Sequence, residues 1–452
     1  MSLVKSIYRK LNPPQLLTLG FLLIITLGAL LLSMPQASAG GTRTPFLDAL
    51  FTATSAACVT GLVVVDTGTH YSVFGQVVIL TLMQVGGLGF MTMATMFALM
   101  FRKRISLKDR LVLQEAMNQH SLEGIISLIR KVLLYSLLIE LAGALILAAR
   151  WSAELPLGEA AYLGVFHSIS MFTNAGFDIM GALHGPYSGM TRHVDDPVVN
   201  VVVMLLIFLG GVGFVVLAEI VDFQKRKKLS LHAKVVLSTT LLLFAVGTIV
   251  IFVFEFTNAK TTGQLSFSGR LLSAMFQSVS PRSGGANTLD ISQMRQATQF
   301  FIVLLMFIGA SPGSSGGGIK VTTFAILAAA VYTMMRGKQD VVLFRHRLQH
   351  ERVYKALTMT LASLFVIILF TMLLSVTEPN ASLLMILFEV TSAFGTCGLS
   401  MGLTTLLSEP GKVLIIIMMF IGRLGPLTLA YSLKRGNEKE LFKYPEGKIT
   451  IG

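Results

Sequence analysis

Long apolar stretches alternate with short polar ones from one end of the chain to the other. Residues 16–34, 73–101, 133–149, 198–221, 235–254, 357–376 and 413–433 are apolar over lengths near those needed to cross a bilayer as helix, about 20 residues. An eighth run, 300–335, is apolar at both ends and interrupted in its middle. Between these runs stand shorter amphipathic stretches such as 45–57 and 271–280, too short to cross. The pattern predicts an all-α integral membrane protein with eight spans and no room for an extra soluble domain. Composition agrees: 53% of the 452 residues are hydrophobic and only 13% charged, with a mean hydropathy of +0.73.

The net charge of +13 would suit a nucleic-acid or acidic partner, but its distribution points elsewhere. Basic residues gather at Lys5, Arg9 and Lys10, at 102–110 with Arg130 and Lys131, at 225–228 with Lys234, at 336–355, and at 434–448. These clusters occupy every second connection and both ends. That is the positive-inside pattern, which places both termini in the cytoplasm and leaves no call for nucleic acid. The first cluster, its apolar run and Ala37-Ser38-Ala39 imitate a secretory leader. The run of 19 residues exceeds the usual ~7–15-residue apolar core of such leaders, so the segment is expected to stay. Cys58 and Cys397 offer neither a disulfide framework nor a metal-binding spacing.

An internal repeat decides the architecture. Phe51-Thr-Ala-Thr-Ser55 leads to Gly61, Phe166-His-Ser-Ile-Ser170 to Gly176, Phe276-Gln-Ser-Val-Ser280 to Gly285, and Phe388-Glu-Val-Thr-Ser392 to Gly398. The glycines recur about every 110 residues, and each lies between two spans on the side that lacks basic residues. A short helix, a glycine turn and a return make a re-entrant loop, tolerated at membrane depth only where protein or a watery path surrounds it. The unit is therefore span, pore helix, filter strand, span. Four units are expected at 16–120, 121–231, 232–350 and 351–435, with cytoplasmic tails at 1–15 and 436–452. They would stand in a pseudo-fourfold arrangement around one pore.

A second landmark follows each loop: Gln84-Val-Gly-Gly-Leu-Gly-Phe90, Leu209-Gly-Gly-Val-Gly-Phe214, the long Gly309–Lys320 segment, and Ile421-Gly-Arg-Leu-Gly-Pro426. In the first two repeats such small residues read as helix packing inside a continuous span. Pro312 and the glycines from Gly309 to Gly318 do not suit a regular helix in the third.

Four glycine loops around one axis supply rings of backbone carbonyls, which can replace the water shell of a cation. Glycine permits the backbone angles that align such carbonyls, and the pore helices would aim their negative ends at the ion. Val-Thr-Gly61-Leu, Asn-Ala-Gly176-Phe, Ser-Gly-Gly285 and Thr-Cys-Gly398-Leu, with the later landmarks, resemble the Trk/Ktr/HKT superfamily of potassium transporters over essentially the whole chain. Within it the sequence is most similar to the KtrB branch, the bacterial membrane subunits of the Ktr potassium uptake system. Trk-type relatives carry additional spans before the first repeat, where this sequence has a short basic tail. Glycine at position 61 favours potassium, because sodium-preferring plant members often have serine there.

The resemblance implies uptake of potassium, with sodium as a second ion, across a bacterial plasma membrane, and no organic cofactor. It implies a selectivity filter lined by Thr60, Gly61, Ala175, Gly176, Gly284, Gly285, Cys397 and Gly398. The third loop is one residue shorter, so either Gly284 or Gly285 supplies its key carbonyl. A gating loop is implied at Gly309, Ala310, Ser311, Pro312, Gly313, Ser314, Ser315, Gly316, Gly317 and Gly318, latched by Arg423, with Lys320 at its edge. The implied partners are a second copy and a cytosolic ring of nucleotide-binding, RCK-type regulatory subunits. The basic linkers would dock the ring, and the tail 436–452 would contribute to the dimer.

Other polar residues have plainer readings. Glu389 and His167, each one residue after a repeat Phe, suit hydrogen bonding behind the filter, and Glu140 suits pairing at a repeat interface. Asp178 and Asp290 follow filter glycines and suit either the pore mouth or solvated loops. His346 and His350 stand among arginines on a solvated face. Gly313-Ser-Ser315-Gly316 imitates the nucleophile motif of intramembrane proteases, but no histidine follows His350 to serve as base. Two rivals remain beside that remote one: a sodium or ammonium permease of the same architecture, and a carrier with broken helices.

Overall fold

The computed structural model describes residues 11–89, 92–93, 111–114 and 125–433. The tail expected at 436–452, the basic residues at 5–10, 102–110 and 434–448, and the boundary at 120–121 lie outside the described residues. Among the described residues the structure is helical apart from a two-residue hairpin, β1 (Val342–Leu343) paired with β2 (His346–Arg347). The helices used below are α1 (Pro13–Leu32), α2 (Phe46–Ala57), α3 (Val73–Leu88), α4 (Ile125–Trp151), α5 (Leu157–Phe172), α6 (Pro197–Gly211), α7 (Phe214–Arg226) and α8 (Leu231–Glu255). They continue as α9 (Phe267–Val279), α10 (Gln296–Phe307), α11 (Val321–Met335), α12 (His350–Thr377), α13 (Leu383–Gly395), α14 (Glu409–Leu424) and α15 (Pro426–Leu433).

Four helices, α1, α4, α8 and α12, are long and apolar enough to cross a membrane unaided. Their outward faces carry half-exposed leucine, isoleucine and phenylalanine such as Leu23, Leu137, Ile249 and Phe365. Apolar surface on this scale fits lipid rather than water. Each long helix is followed by a shorter one of 12, 16, 13 or 13 residues: α2, α5, α9 and α13. The repeat phenylalanines Phe51, Phe166, Phe276 and Phe388 sit on these short helices and are at most 1% exposed. They anchor each short helix in the core.

The helices after the loops start where polar side chains satisfy the first free amides. Ser72, Asp196 and Ser408 cap α3, α6 and α14 from their own chain position. At α10 the distant Glu255 does this work, accepting from the Arg295 amide at 2.9 Å and from Thr298 Oγ1. The helices then pack cyclically. α3 lies on α5, α6 on α9, α10 on α13, and α14 on α2.

Continuous second spans are not what the structure contains. α3 ends at Leu88, α6 at Gly211 and α14 at Leu424, and Gly89, Gly213 and Gly425 follow with φ of +84°, +92° and +82°. α7 leaves α6 at 105°. Apolar content alone extends the runs through these points, but a left-handed glycine ends each helix. The packing expectation holds for neighbouring glycines. A Cβ on Gly86, Gly210 or Gly422 would lie 2.0, 1.9 or 2.1 Å from the carbonyl oxygen of Ala57, Phe172 or Phe394, near the end of each repeat's short helix. Gly210→Val therefore forces backbone apart, and we expect it to lose most of its monodisperse protein in detergent size-exclusion chromatography. Gly158→Val, with nothing within 4 Å of the new carbon, should keep it.

Candidate filter and loop below it

After each short helix the chain makes the same turn. Val59, Asn174, Ser283 and Thr396 take φ of +56°, +57°, +71° and +45°. Two residues on, Gly61, Gly176, Gly285 and Gly398 take +89°, +70°, +69° and +90°. Gly285, not Gly284, is therefore the third glycine in this conformation. The missing residue of the third loop is lost before the turn. Ser280 O accepts from the Gly284 amide four residues on, whereas Ser55, Ser170 and Ser392 accept from amides five residues on.

The four glycines form a closed ring. A Cβ on Gly61 would lie 2.5 Å from Ala175 O, and one on Gly176 would lie 3.1 Å from Gly284 O and 2.7 Å from the Gly285 Cα. One on Gly285 would lie 2.5 Å from Cys397 O, and one on Gly398 2.2 Å from Thr60 O. Each glycine thus touches the residue before the next glycine, in one rotational sense, and the last loop touches the first. Thr60, Ala175, Gly284 and Cys397 stand at equivalent places.

The repeat serines hold this ring, a role their recurrence signalled without specifying. Ser55 Oγ and Ser392 Oγ accept from the Gly61 and Gly398 amides at 3.0 and 3.1 Å. Ser170 Oγ donates to Phe177 O at 2.6 Å, and Ser280 Oγ donates to Ala286 O. Glu389 fastens the outgoing strand of the fourth loop, accepting from the Met401 amide at 3.1 Å, Thr404 Oγ1 at 2.8 Å and Ser400 Oγ. His167 turns away, its Nδ1 2.8 Å from Leu163 O and its ring edge-on to Trp151. Glu140 accepts from Gln84 Nε2 at 3.0 and 3.1 Å, joining the first two repeats. Asp290 accepts from the Ser292 amide and Oγ within its own turn. Glu389→Gln removes an acceptor from a buried three-donor cluster, a cost of about 1–3 kcal/mol. We expect a lower unfolding temperature in detergent and weaker discrimination between potassium and sodium. An unchanged variant in both assays would contradict this assignment.

Beneath the ring, Gly309–Gly318 forms an irregular loop between α10 and α11. Its neck closes where a Cβ on Gly309 would lie 2.1 Å from Gly317 O. Three other parts of the chain hold it. From the second repeat, Gly211 O accepts from the Ser311 amide at 3.0 Å, Gly210 O accepts from Ser315 Oγ at 3.0 Å, and Asn174 pairs with Ser315 Oγ at 3.1 Å. From the fourth, Thr396 Oγ1 accepts from the Gly317 amide at 2.8 Å. Arg423 donates to Ser315 O and also to Gly86 O of the first repeat. Lys320 Nζ donates to Gly316 O at 2.7 Å. Asn174 and Thr396, turn residues that also grip this loop, were absent from the sequence-derived site, although both stand two residues before a repeat glycine. Below the loop opens a cavity of about 280 Å³, bordered by Pro312, Lys320, Arg423 and Gly89.

Neither serine of 313–316 is set up as a nucleophile: Ser314 Oγ donates to Ser311 O and Ser315 Oγ to Gly210 O. What the arrangement offers is a ring of four glycine turns, each facing a neighbour's carbonyl, and an irregular loop tethered to the second and fourth repeats.

Comparison with known proteins adds the family. The TrkH family of cation transport proteins matches residues 24–440. The Ktr system potassium uptake protein B of Bacillus subtilis (strain 168) is 43% identical over 443 residues, covering 98% of this chain and 97% of the relative. The potassium/sodium uptake protein NtpJ of Enterococcus hirae is 39% identical over 453 residues, covering 99% of both. The crystal structure of the potassium transporter TrkH from Vibrio parahaemolyticus aligns with a TM-score of 0.69 over 92% of this chain and 84% of that one. At 17% identity this likeness speaks to the fold.

Proposed function

Because the chain belongs to the TrkH family of cation transport proteins, we propose that it takes up potassium across a bacterial plasma membrane through a single path down the glycine ring. It is a transporter and not an enzyme. In this reading the four units at 16–120, 121–231, 232–350 and 351–435 stand as eight transmembrane spans in pseudo-fourfold arrangement. The broken helices complete the second span of each unit.

The observation that carries the proposal is the ring itself. Thr60, Ala175, Gly284 and Cys397 each set a carbonyl against the preceding repeat's glycine, the first repeat counting after the fourth. Such carbonyls can stand in for the hydration shell of a potassium ion. The Gly309–Gly318 loop is the gate, and Arg423 is its latch between the third and first repeats. The relative named for potassium and sodium supports sodium as a competing or stimulating ion. The relatives named as parts of a Ktr system support control by separate cytosolic subunits, here a nucleotide-binding ring, acting on a homodimer with its termini in the cytoplasm.

The test is potassium uptake into vesicles holding the purified protein and its regulatory partner, with sodium and ammonium as competitors. Potassium uptake that neither sodium nor ammonium competes away supports the proposal. Uptake blocked equally by ammonium favours the ammonium permease of the same architecture, and no uptake at all removes the carbonyl-ring path.

A further inference from the structure

Arg282 lies at the end of α9's turn, six residues beyond Phe276. The other repeats have Ala57, Phe172 and Phe394 at this place, all apolar. The arginine is only 9% exposed. Among the described residues no carboxylate lies within ion-pair distance of it. Its Nη1 and Nη2 reach Thr240 O and Oγ1 at long range, 3.3 and 3.4 Å, and Nε has no partner. A guanidinium carries five N–H donors and cannot shed its charge by ordinary means. Held in hydrocarbon with two weak bonds, it is a cation lacking its counter-group.

The guanidinium borders a cavity of about 310 Å³ between α6, α8 and α9. The mouth is framed by Val201, Leu205 and Leu241, each about half exposed on the lipid-facing side. The inner end reaches Gly211 and Ala310, the footing of the irregular loop. Thr240 is roughly 14 Å along α8 from Leu231 and roughly 22 Å from Glu255 at 1.5 Å per residue. Measured on the apolar run 235–254, Thr240 lies about 8 Å from one end and about 21 Å from the other, so the charge sits inside the apolar layer, nearer its Lys234 end.

We propose that this cavity is a binding site for a single-chain lipophilic carboxylic acid, with the carboxyl group on Arg282 and the alkyl chain leaving between Leu205 and Leu241. A carboxylic acid enters hydrocarbon in its neutral form, because burial disfavours the charged one. It then finds at Arg282 the forked donor set that carboxyl oxygens match. A phospholipid fits less well, since its phosphate would have to be drawn about 8 Å past the edge of the ~30 Å core. This goes beyond ion uptake and does not depend on the loop acting as a gate.

The probe is a palmitic acid analogue with a photoreactive diazirine on its chain, reacted with the protein in lipid vesicles and mapped by mass spectrometry. Labelling should concentrate on the walls near residues 201–208 and 240–244. Excess palmitic acid should displace it, and hexadecane should not. Arg282→Gln should reduce this labelling about tenfold, the worth of a lost charge-assisted pair. Since Arg282→Gln can harm folding, Leu205→Trp supplies the second arm: it narrows the mouth, spares the arginine, and should reduce the same labelling. Labelling spread evenly over the lipid-facing helices, equal displacement by hexadecane, or no change in Leu205→Trp would overturn the proposal. So would efficient cross-linking between protomers through Leu205→Cys, which would put a second copy over the mouth.

Discussion

Potassium uptake by the Gly398→Ala variant should fall about tenfold or more, and what remains should distinguish potassium from sodium poorly. Two costs combine. The backbone sits at φ +90°, where a side chain adds about 1–2 kcal/mol of strain. In addition, the new carbon would stand 2.2 Å from Thr60 O and 2.9 Å from the Gly61 Cα. Backbone must move, and what moves is the carbonyl proposed to face the ion. Gly402→Ala separates the two costs. Its φ is +92° in the same repeat, yet nothing lies within 4 Å of the added carbon. That variant should lose some stability and keep its ion discrimination. Equal transport by wild type and Gly398→Ala, measured as rubidium uptake under sodium competition, would remove the ring from the ion path.

Arg423→Gln should act in the opposite direction and raise uptake. The guanidinium holds Ser315 O and Gly86 O together. Bonds to a charged donor are worth about 1.5–3 kcal/mol each; in the proposed gate they exist only in the closed state, so loss of even one shifts the open–closed balance about tenfold or more. Removing a positive charge from the proposed route of the cation works in the same sense. Thr396→Val, which removes the acceptor of the Gly317 amide, should raise uptake less, because that bond is neutral. The measurement is initial-rate rubidium uptake without the regulatory partner. A rate at or below wild type for Arg423→Gln would refute the latch.

Much of this site was legible because it occurs four times. One Phe–Ser–Gly segment is an ordinary turn, whereas four at near-equal spacing on one side of the spans are an architecture. The breaks at Gly89, Gly213 and Gly425 were hidden for a physical reason. Hydropathy registers how apolar a segment is and is blind to the sign of φ, so a glycine that packs and a glycine that ends a helix look alike. Here both kinds stand three residues apart, Gly86 beside Gly89 and Gly210 beside Gly213. The third loop's register was hidden because Gly284 and Gly285 are adjacent. Only the backbone separates the residue that gives its carbonyl from the one in the left-handed conformation. The grip of Asn174 and Thr396 on the loop below joins residues far apart in the chain, which no local pattern records.

The contact between Gly398 and Thr60 has a consequence for the making of the protein. The last quarter of the chain must arrive before the first loop gains its second neighbour. A chain still emerging into the membrane therefore holds three quarters of a ring and an open side. The ring is complete only when the fourth loop sets Cys397 O against Gly285 and Gly398 against Thr60 O.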